Sequence, residues 1–584
     1  MRTSALQYLY LQKPISSVII VCAIALLPWT GDDFYTKGEP REASVAISMV
    51  ESGNWILPRV YANEFAYKPP MMHWLIAAFS LPQGHVSEFT SRLPSALAQI
   101  IMISFVLAFF GKRGRFQEAF IATLLLLTCF EIHRAGITAR VDMLLTMFTV
   151  LGLMQLYRWE NKLQLKGLPV LIPLLFSGAI LTKGPVGIIL PLFVYFVHLM
   201  LLRKYGFWKI IKALLYVSVS SAFIPLIWYV AAYRQGGEEF LNLVMAENFG
   251  RFFHLSESAI NYDLGHKEGL HYNFITMLSG FIPWTLLFVF SLFGLRYSRP
   301  GKNFLRNLWQ RFRKTDKIKR FCIVATVCIF IFYSIPSSKR SVYLMPAYPF
   351  ISLLLAQYII YITENLARAT RIFAYVLTSI AASVVAIALL IMCLPTDIPS
   401  FAAKFTNSQS TLVSVQQVSD SLSSLNIVSI IVILLMITAI GTVIYQLQKR
   451  INIKILYSTI LLTFCLNLFI DGVVMTGVRT NSSARPFAEQ IRRDYPDAKD
   501  NIFVLNNLRE YNNLYAMNYY LGNSLRDLDK SKPASGYFLI TERDIEKALQ
   551  NYSSQYSFER LANSDRQGDI RSRAVLFRIE KNGI

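Results

Sequence analysis

Apolar runs of roughly 20 residues recur along the first 475 positions, separated by polar stretches. Each run is about the length that crosses a bilayer as one helix. The pattern predicts spans near 15–31, 88–110, 116–130, 141–157, 168–181, 185–202, 211–233, 273–295, 321–335, 344–362, 372–394, 426–446 and 453–476, thirteen in all. Beyond about 477 the pattern turns polar and alternates in type. It predicts helices at Ala484–Arg493, Glu510–Tyr520 and Glu542–Gln550, and strands at Asn501–Leu505, Tyr537–Thr541 and Arg573–Ile579. The expected fold is a polytopic all-α membrane protein with about 13 transmembrane helices over 1–476, followed by a small α/β domain over 477–584.

One polar segment does not fit the role of a connector. Between the first two spans, 32–87 form a long loop rich in charge: Asp32, Asp33, Lys37, Glu39, Arg41, Glu42, Glu51, Arg59, Glu64 and Lys68. Connections this long are usually functional. Within it Ala43, Ala46, Ile47 and Val50 recur at helical spacing and Pro40 suits a first turn, so Pro40–Glu51 predicts an amphipathic helix on the membrane surface. Pro69–Leu81 is apolar but too short to span, which predicts an interfacial segment. Trp55 and Trp74 suit the headgroup level.

Composition supports the membrane reading: 54% of residues are hydrophobic and 16% charged, against about 25% charged in soluble chains. The formal charge of +22 is concentrated in alternate loops, at Lys112-Arg113, Arg158, Lys162, Lys166, Arg203-Lys204 and Lys449-Arg450. The loop 296–320 is the extreme case, ten cations against Asp316. Cytoplasmic loops carry this bias, so the N-terminus is expected inside, with the basic loops facing anionic lipid and no nucleic-acid partner. The first span closes on Trp29-Thr30-Gly31-Asp32 without a small-residue cleavage pattern and is expected to be retained. The six cysteines lie in or beside apolar runs and read as buried hydrophobes.

On this topology the odd-numbered loops share the outer face and bring several charges close to hydrocarbon, where charge is costly and default functional. Loop three offers Arg134, Arg140 and Asp142, and loop five Lys183 in LTKGPVG. Loop seven offers Glu247, Asn248, Arg251, His266 and His271, and loop nine Lys339, Arg340 and Tyr343. Such cations suit a lipid phosphate, and a carboxylate beside them suits a base toward a hydroxyl acceptor. Other roles are open: Asp142 as a helix cap, Lys183 as a turn cap, Tyr343 as interfacial belt, and the histidines as surface residues rather than metal ligands. Asp527-Leu528-Asp529 reads as a turn. The phosphate-binding Walker loop and the dinucleotide glycine fingerprint are both absent from the sequence, which disfavours an ATP-driven pump. No pair of broken spans repeats in the two halves.

The run EPREASVAISMVESGNWILPRV…YKPPMMHW, followed by ARVDMLLTMF, LTKGPVGIILP, ENFGRF, HYNFITMLSGFIPW and SSKRSVYLMPAYP, resembles the lipid A aminoarabinose transferases. These are related to the protein O-mannosyltransferases, polyprenyl-phosphate-dependent enzymes of the type C glycosyltransferase fold. The resemblance covers most of the first 350 residues. It implies a bacterial inner-membrane enzyme with a periplasmic active site and a periplasmic tail. Its partners would be an undecaprenyl-phosphate-linked sugar, aminoarabinose-like or a hexose, and lipid A or another periplasmic acceptor. It places Lys68, Arg251 and Tyr343 at the donor phosphate, with Lys183 and Lys339 beside them. Arg41, Glu39 and Asp142 become the catalytic candidates, and Glu247, His271 and Asp33 the sugar or acceptor contacts. No cofactor is expected, and no metal ligand set supports a divalent ion. Two positions depart from the family: Gly38 stands where the loop-one motif has Asp, and Tyr67 where the aminoarabinose enzymes have Glu. A lipid-sugar flippase, or a relative that binds polyprenyl phosphate without turnover, are the rival readings.

Overall fold

The computed structural model describes residues 2–36, 38–61, 64–66, 68–113, 116–161, 163, 167–246, 268–295, 304–336, 338–393, 398–406, 408–423, 426–505, 514–564 and 573–582, with side chains from residue 14 onward. Every one of the thirteen apolar stretches falls on helix. The first ten helices are α1 (Arg2–Leu26), α2 (Gly38–Ser52), α3 (Met71–Ser80), α4 (Glu88–Gly111), α5 (Phe116–Thr128), α6 (Phe130–Gly136), α7 (Val141–Trp159), α8 (Leu171–Lys183), α9 (Val186–Leu202) and α10 (Phe207–Met245). Among the described residues six helices are long and apolar enough to cross a membrane, or eight if two bent pairs are each one span. The bends are 65° between α5 and α6, and 105° between Leu270–Gly280 and Trp284–Leu292. α8 and α9 are apolar but short. They are joined by a tight turn in which Gly184 takes φ +73°. A Cβ on Gly187 would lie 2.4 Å from the Ala179 backbone, so this hairpin closes only around small residues.

Most helices share one large core, with a second apolar cluster between the ends of α7, α8, α9 and α10. α4 lies on α1, α5 and α7; α7 in turn meets α8 and α9. The cysteines behave as expected: Cys22, Cys129, Cys322, Cys328 and Cys465 are buried and unbridged.

The first loop holds more structure than its pattern suggested. α2 is longer than expected, and most of it is buried, from Glu39 through Met49 except Arg41. It is therefore not a surface helix with one open face. It is covered by α3 and by the short helix Tyr515–Tyr520 of the C-terminal region. A two-stranded hairpin follows, β1 (Arg59–Val60) with β2 (Glu64–Phe65).

The C-terminal region carries a five-stranded sheet. Its strands are β3 (Ile502–Val504), β4 (Arg526–Asp527), β5 (Ser535–Thr541), β6 (Tyr556–Asn563) and β7 (Ala574–Lys581), in spatial order β4-β3-β5-β7-β6. β3 runs parallel to β4 and β5, while β7 is antiparallel to β5 and β6. β6 was not foreseen: its YSFERLAN sequence has little alternation and most of it is half-buried or exposed. The expected helix from Glu510 is seen over Tyr515–Tyr520, and 506–513 lie outside the described residues. Asp527 accepts from the amides of Asp529 and Lys530 as a helix cap, the turn role expected for it.

This region grips the first loop. The Tyr520 hydroxyl accepts from the Phe34 amide at 3.0 Å. The Tyr519 hydroxyl donates to the Val86 carbonyl, and Asn518 reaches Ser44 at 3.3 Å. Arg485 pairs with Asp33 at 3.0 Å and Glu88 at 2.5 Å.

Candidate active site

The arrangement starts from Arg92, a fully buried arginine on α4. Its five N–H groups are all used. Nε donates to Glu39 Oε1 at 2.7 Å, Nη1 to the carbonyls of Thr30 and Asp32, and Nη2 to the Asp33 carbonyl and Glu39 Oε2. One guanidinium thus collects the chain as it leaves the first span and ties it to the start of α2. Glu39 also accepts from the Ala139 amide at 3.0 Å and from the Thr36 hydroxyl at 2.9 Å. Burial alone would raise its carboxyl, but the Arg92 charge and these donors outweigh burial and hold it below its ordinary value. The sequence expectation was an acid facing substrate; Glu39 is fully covered and both its oxygens are taken.

One turn further, Glu42 has a different setting. It is also buried, yet its partners reach outward: Lys68, Arg41 at 3.2 Å, and His73 Nε2 at 2.7 Å. The Lys68 and Arg41 side chains remain about a quarter exposed, 24% and 27%. Burial would raise the Glu42 carboxyl; the Lys68 ammonium, the His73 hydrogen bond and the Arg41 guanidinium overcome this and hold it well below the usual carboxylate range. Sequence reasoning passed over Glu42 and His73 as site residues. The available signal was spacing: Glu42 follows Glu39 by three, so both share one helix face.

The other loops converge here. Asp142, in the first turn of α7, accepts from Lys183 Nζ at 2.5 Å. Lys68 and Arg140 are near enough to act on the same carboxylate. The Lys183 ammonium sits 4.2 Å from the centre of the Tyr343 ring, a cation–π distance, and Tyr343 packs on Tyr333 at 5.4 Å. Residues from the first, third, fifth and ninth loops thus form one cluster: Arg41, Glu42, Lys68, Arg140, Asp142, Lys183 and Tyr343.

Three expected contacts lie elsewhere. Lys339 is buried and donates to the carbonyls of Glu268 and Pro336, at 2.9 and 2.7 Å. Asp33 is engaged by Arg485, at the junction with the C-terminal region. His271 is exposed and lines an apolar groove of about 800 Å³ with Phe274, Ile275, Phe330, Ile331 and Ile335. That groove runs along the helix Lys317–Ser334, which also carries Tyr333. Arg251, Glu247 and Tyr67 lie outside the described residues. Among the described residues no three His, Cys, Asp or Glu side chains gather as a metal-ligand set.

What this cluster offers is a cationic surface with two carboxylates at one end of an apolar helix array. Such a surface can hold an oxyanion against a membrane and present a carboxylate to a nearby hydroxyl. The comparisons with known proteins point the same way. The model of the dolichyl-phosphate-mannose-protein mannosyltransferase family matches residues 67–229. An undecaprenyl phosphate-alpha-4-amino-4-deoxy-L-arabinose arabinosyl transferase of Shewanella sediminis is 23% identical over 359 residues, 59% of this chain and 60% of that protein. A second such transferase, from Proteus mirabilis, is 25% identical over 57% of each chain. The chain thus matches about three-fifths of the length of these curated relatives. The crystal structure of ArnT from Cupriavidus metallidurans bound to undecaprenyl phosphate superposes with a TM-score of 0.67, covering 97% of this chain and 98% of that one at 16% identity. Its apo form gives the same score at 17% identity. The resemblance read from the sequence motifs is borne out, and the fold is the one seen in ArnT.

Proposed function

We propose that this chain is an integral-membrane glycosyltransferase that moves a sugar from a polyprenyl-phosphate carrier to an acceptor at the outer face of the bacterial inner membrane. The observation that carries the reading is the convergence of Lys68, Arg140, Lys183 and Tyr343 around Glu42 and Asp142, in a fold also found in a protein crystallised with undecaprenyl phosphate. The carrier is proposed to be undecaprenyl phosphate and the acceptor lipid A or another periplasmic group. The finer topology belongs to the same proposal: thirteen spans, a cytoplasmic N-terminus, and both the first loop and the C-terminal region in the periplasm.

The chemistry is a single displacement. The bond between the anomeric carbon and the carrier phosphate oxygen breaks with its electron pair going to oxygen, and an acceptor oxygen bonds to that carbon. Charge grows on the departing phosphate, and Lys68, Lys183 and Arg41 are placed to stabilise it. Tyr343, across the Lys183 ammonium, borders the same space. Asp142 is the candidate to orient the acceptor or take its proton. Glu39 acts through Arg92 as a positioning residue that sets the start of α2. Arg251 remains a donor-phosphate candidate by resemblance. The prenyl chain would lie in the apolar groove between Leu270–Gly280 and Lys317–Ser334, leaving its phosphate toward Tyr343.

The test uses the full chain purified into nanodiscs, supplied with a panel of undecaprenyl-phosphate sugars and lipid A. Release of free undecaprenyl phosphate together with a mass gain on the acceptor is expected, and Asp142→Asn should abolish it. Carrier movement across the bilayer without glycosyl transfer would replace the reading with transport. Donor binding without release would leave a binding protein.

A further inference from the structure

The cations of the site divide into two kinds. Arg41 and Lys68 meet Glu42, and Lys183 meets Asp142. Arg140 is different. Its backbone is pinned at the head of α7, where its amide donates to the Thr138 carbonyl at 3.0 Å and its own carbonyl accepts from the Ser95 hydroxyl at 3.3 Å. Its guanidinium is half-buried yet, among the described residues, has no carboxylate or carbonyl within hydrogen-bonding distance. It lies instead against Gly38: a Cβ placed there would be 3.1 Å from Nη2, 3.2 Å from Nε and 3.3 Å from Cζ. The backbone at Gly38 is not left-handed, so no turn demands glycine at this position. What the missing side chain provides is room for the guanidinium. An aspartate at 38 would hold its carboxylate beside that fork and pair with it.

We infer that Arg140 is an anion-binding residue of this site: it takes an oxyanion of a substrate, and Gly38 withholds the side chain that would otherwise pair with it from the start of α2. A half-buried guanidinium that keeps its N–H groups open to an incoming ligand suits an oxyanion, because a phosphate oxygen pair matches its fork. Lys68 and Lys183 each bond a carboxylate directly, whereas Arg140 lies near Asp142 without a hydrogen bond to it, so among the described cations of the cluster its N–H fork is the one open to a ligand. The oxyanion has two sources, the carrier phosphate or a phosphate on the acceptor. The inference rests on the glycosyltransferase reading only for the second source, because binding of the carrier needs no turnover.

The experiment measures the Kd of undecaprenyl phosphate for the full chain in nanodiscs, in wild type, Arg140→Ala, Arg140→Lys, Gly38→Asp and Gly38→Asn. Gly38→Asn matches Gly38→Asp in size without the charge, so their difference reads the intrachain pair. If the carrier phosphate is the ligand, Arg140→Ala and Gly38→Asp weaken binding at least about tenfold, the loss of a charge-assisted contact. Arg140→Lys then keeps part of it, and Gly38→Asn loses about tenfold less than Gly38→Asp. If carrier binding holds but the KM for lipid A rises in the same two variants, and not for dephosphorylated lipid A, the oxyanion belongs to the acceptor. Unchanged carrier binding and unchanged acceptor KM in both variants would overturn the inference. Equal losses in Gly38→Asp and Gly38→Asn would overturn the role given to Gly38. Should Arg140→Ala fail to fold, the two Gly38 variants and Arg140→Lys decide alone. Failure of all transfer with Arg140-dependent carrier binding intact would sink the transferase reading and leave this one standing.

Discussion

Glu39 and Glu42 sit one turn apart on the same buried helix, and the structure uses them in opposite ways. Glu39 faces Arg92, whose side chain is 1% exposed, and the pair is closed by a backbone amide and a hydroxyl. Glu42 faces Lys68 and Arg41, whose side chains remain about a quarter exposed. Burial of the acid is the same in both cases. What separates a fastening from a working group is how far the partner cation is exposed: 1% for the Arg92 side chain, about a quarter for those of Lys68 and Arg41. A closed pair can only hold; a half-open pair can exchange one acceptor for another when a phosphate arrives.

Removing each cation in turn should separate the two acids most widely. Arg92→Ala leaves Glu39 buried and unpaired and frees three backbone carbonyls. Breaking a buried pair this way costs about 3–5 kcal/mol, so a large drop in Tm is expected, with activity lost along with the fold. Lys68→Ala should do the reverse. Its side chain is about a quarter exposed and Glu42 keeps Arg41 and His73, so the fold should survive while transfer falls about 10²–10³-fold, as for loss of one stabilising group at a developing oxyanion. A thermal melt and a release assay on both variants separate them. Equal destabilisation by the two would mean that Lys68 is as structural as Arg92.

Acid sharpens the same point. Both carboxyls are held below their ordinary value in the folded chain. Groups depressed in this way stabilise the fold fully above the unfolded value, about 4.3, and the contribution is lost as pH falls through the lower folded values. Stability should therefore be level with respect to these groups from pH 7 to 5 and decline below that. Glu42→Gln should shallow the decline, since it removes one of the two depressed carboxyls. Superimposable acid limbs for wild type and Glu42→Gln, followed by melting temperature, would contradict the assignment.

Much of this was legible because hydrophobic periodicity writes helices directly: all thirteen apolar stretches are helical, and α2 lies where Ala43, Ala46, Ile47 and Val50 placed it. The gathering of Lys68, Asp142, Lys183 and Tyr343 also followed from assigning alternate loops to one side. What stayed hidden depends on long-range partners. Arg92 reads as one charge near the start of an apolar run, and only the fold shows it meeting Glu39, 53 residues away. Glu39 looked like the working acid because it adjoins the position vacant at Gly38; its burial is set by Arg92 and Ala139, which no local pattern reveals. α2 looks like a surface helix from its sequence because part of its cover, the helix Tyr515–Tyr520, comes from residues more than 450 positions later in the chain.

That cover yields the smallest expected effect. Tyr520→Phe removes the acceptor of the Phe34 amide and leaves that N–H buried without a partner, a cost of about 1–3 kcal/mol. The ring would still pack, Tyr519 would still bond to Val86, and Arg485 would still pair with Asp33 and Glu88. Arg92, on α4, would still hold the first loop. The site geometry is therefore over-determined at this point, and transfer should fall only a few-fold, with the loss growing as temperature approaches the lowered Tm. If the C-terminal grip acts merely as a brace, kcat measured well below Tm will be close to wild type. If Tyr520→Phe instead loses as much activity as Lys68→Ala at unchanged Tm, the C-terminal region sets the position of α2 directly. The boundary between holding and working groups would then run through the Tyr520 contact rather than between Glu39 and Glu42.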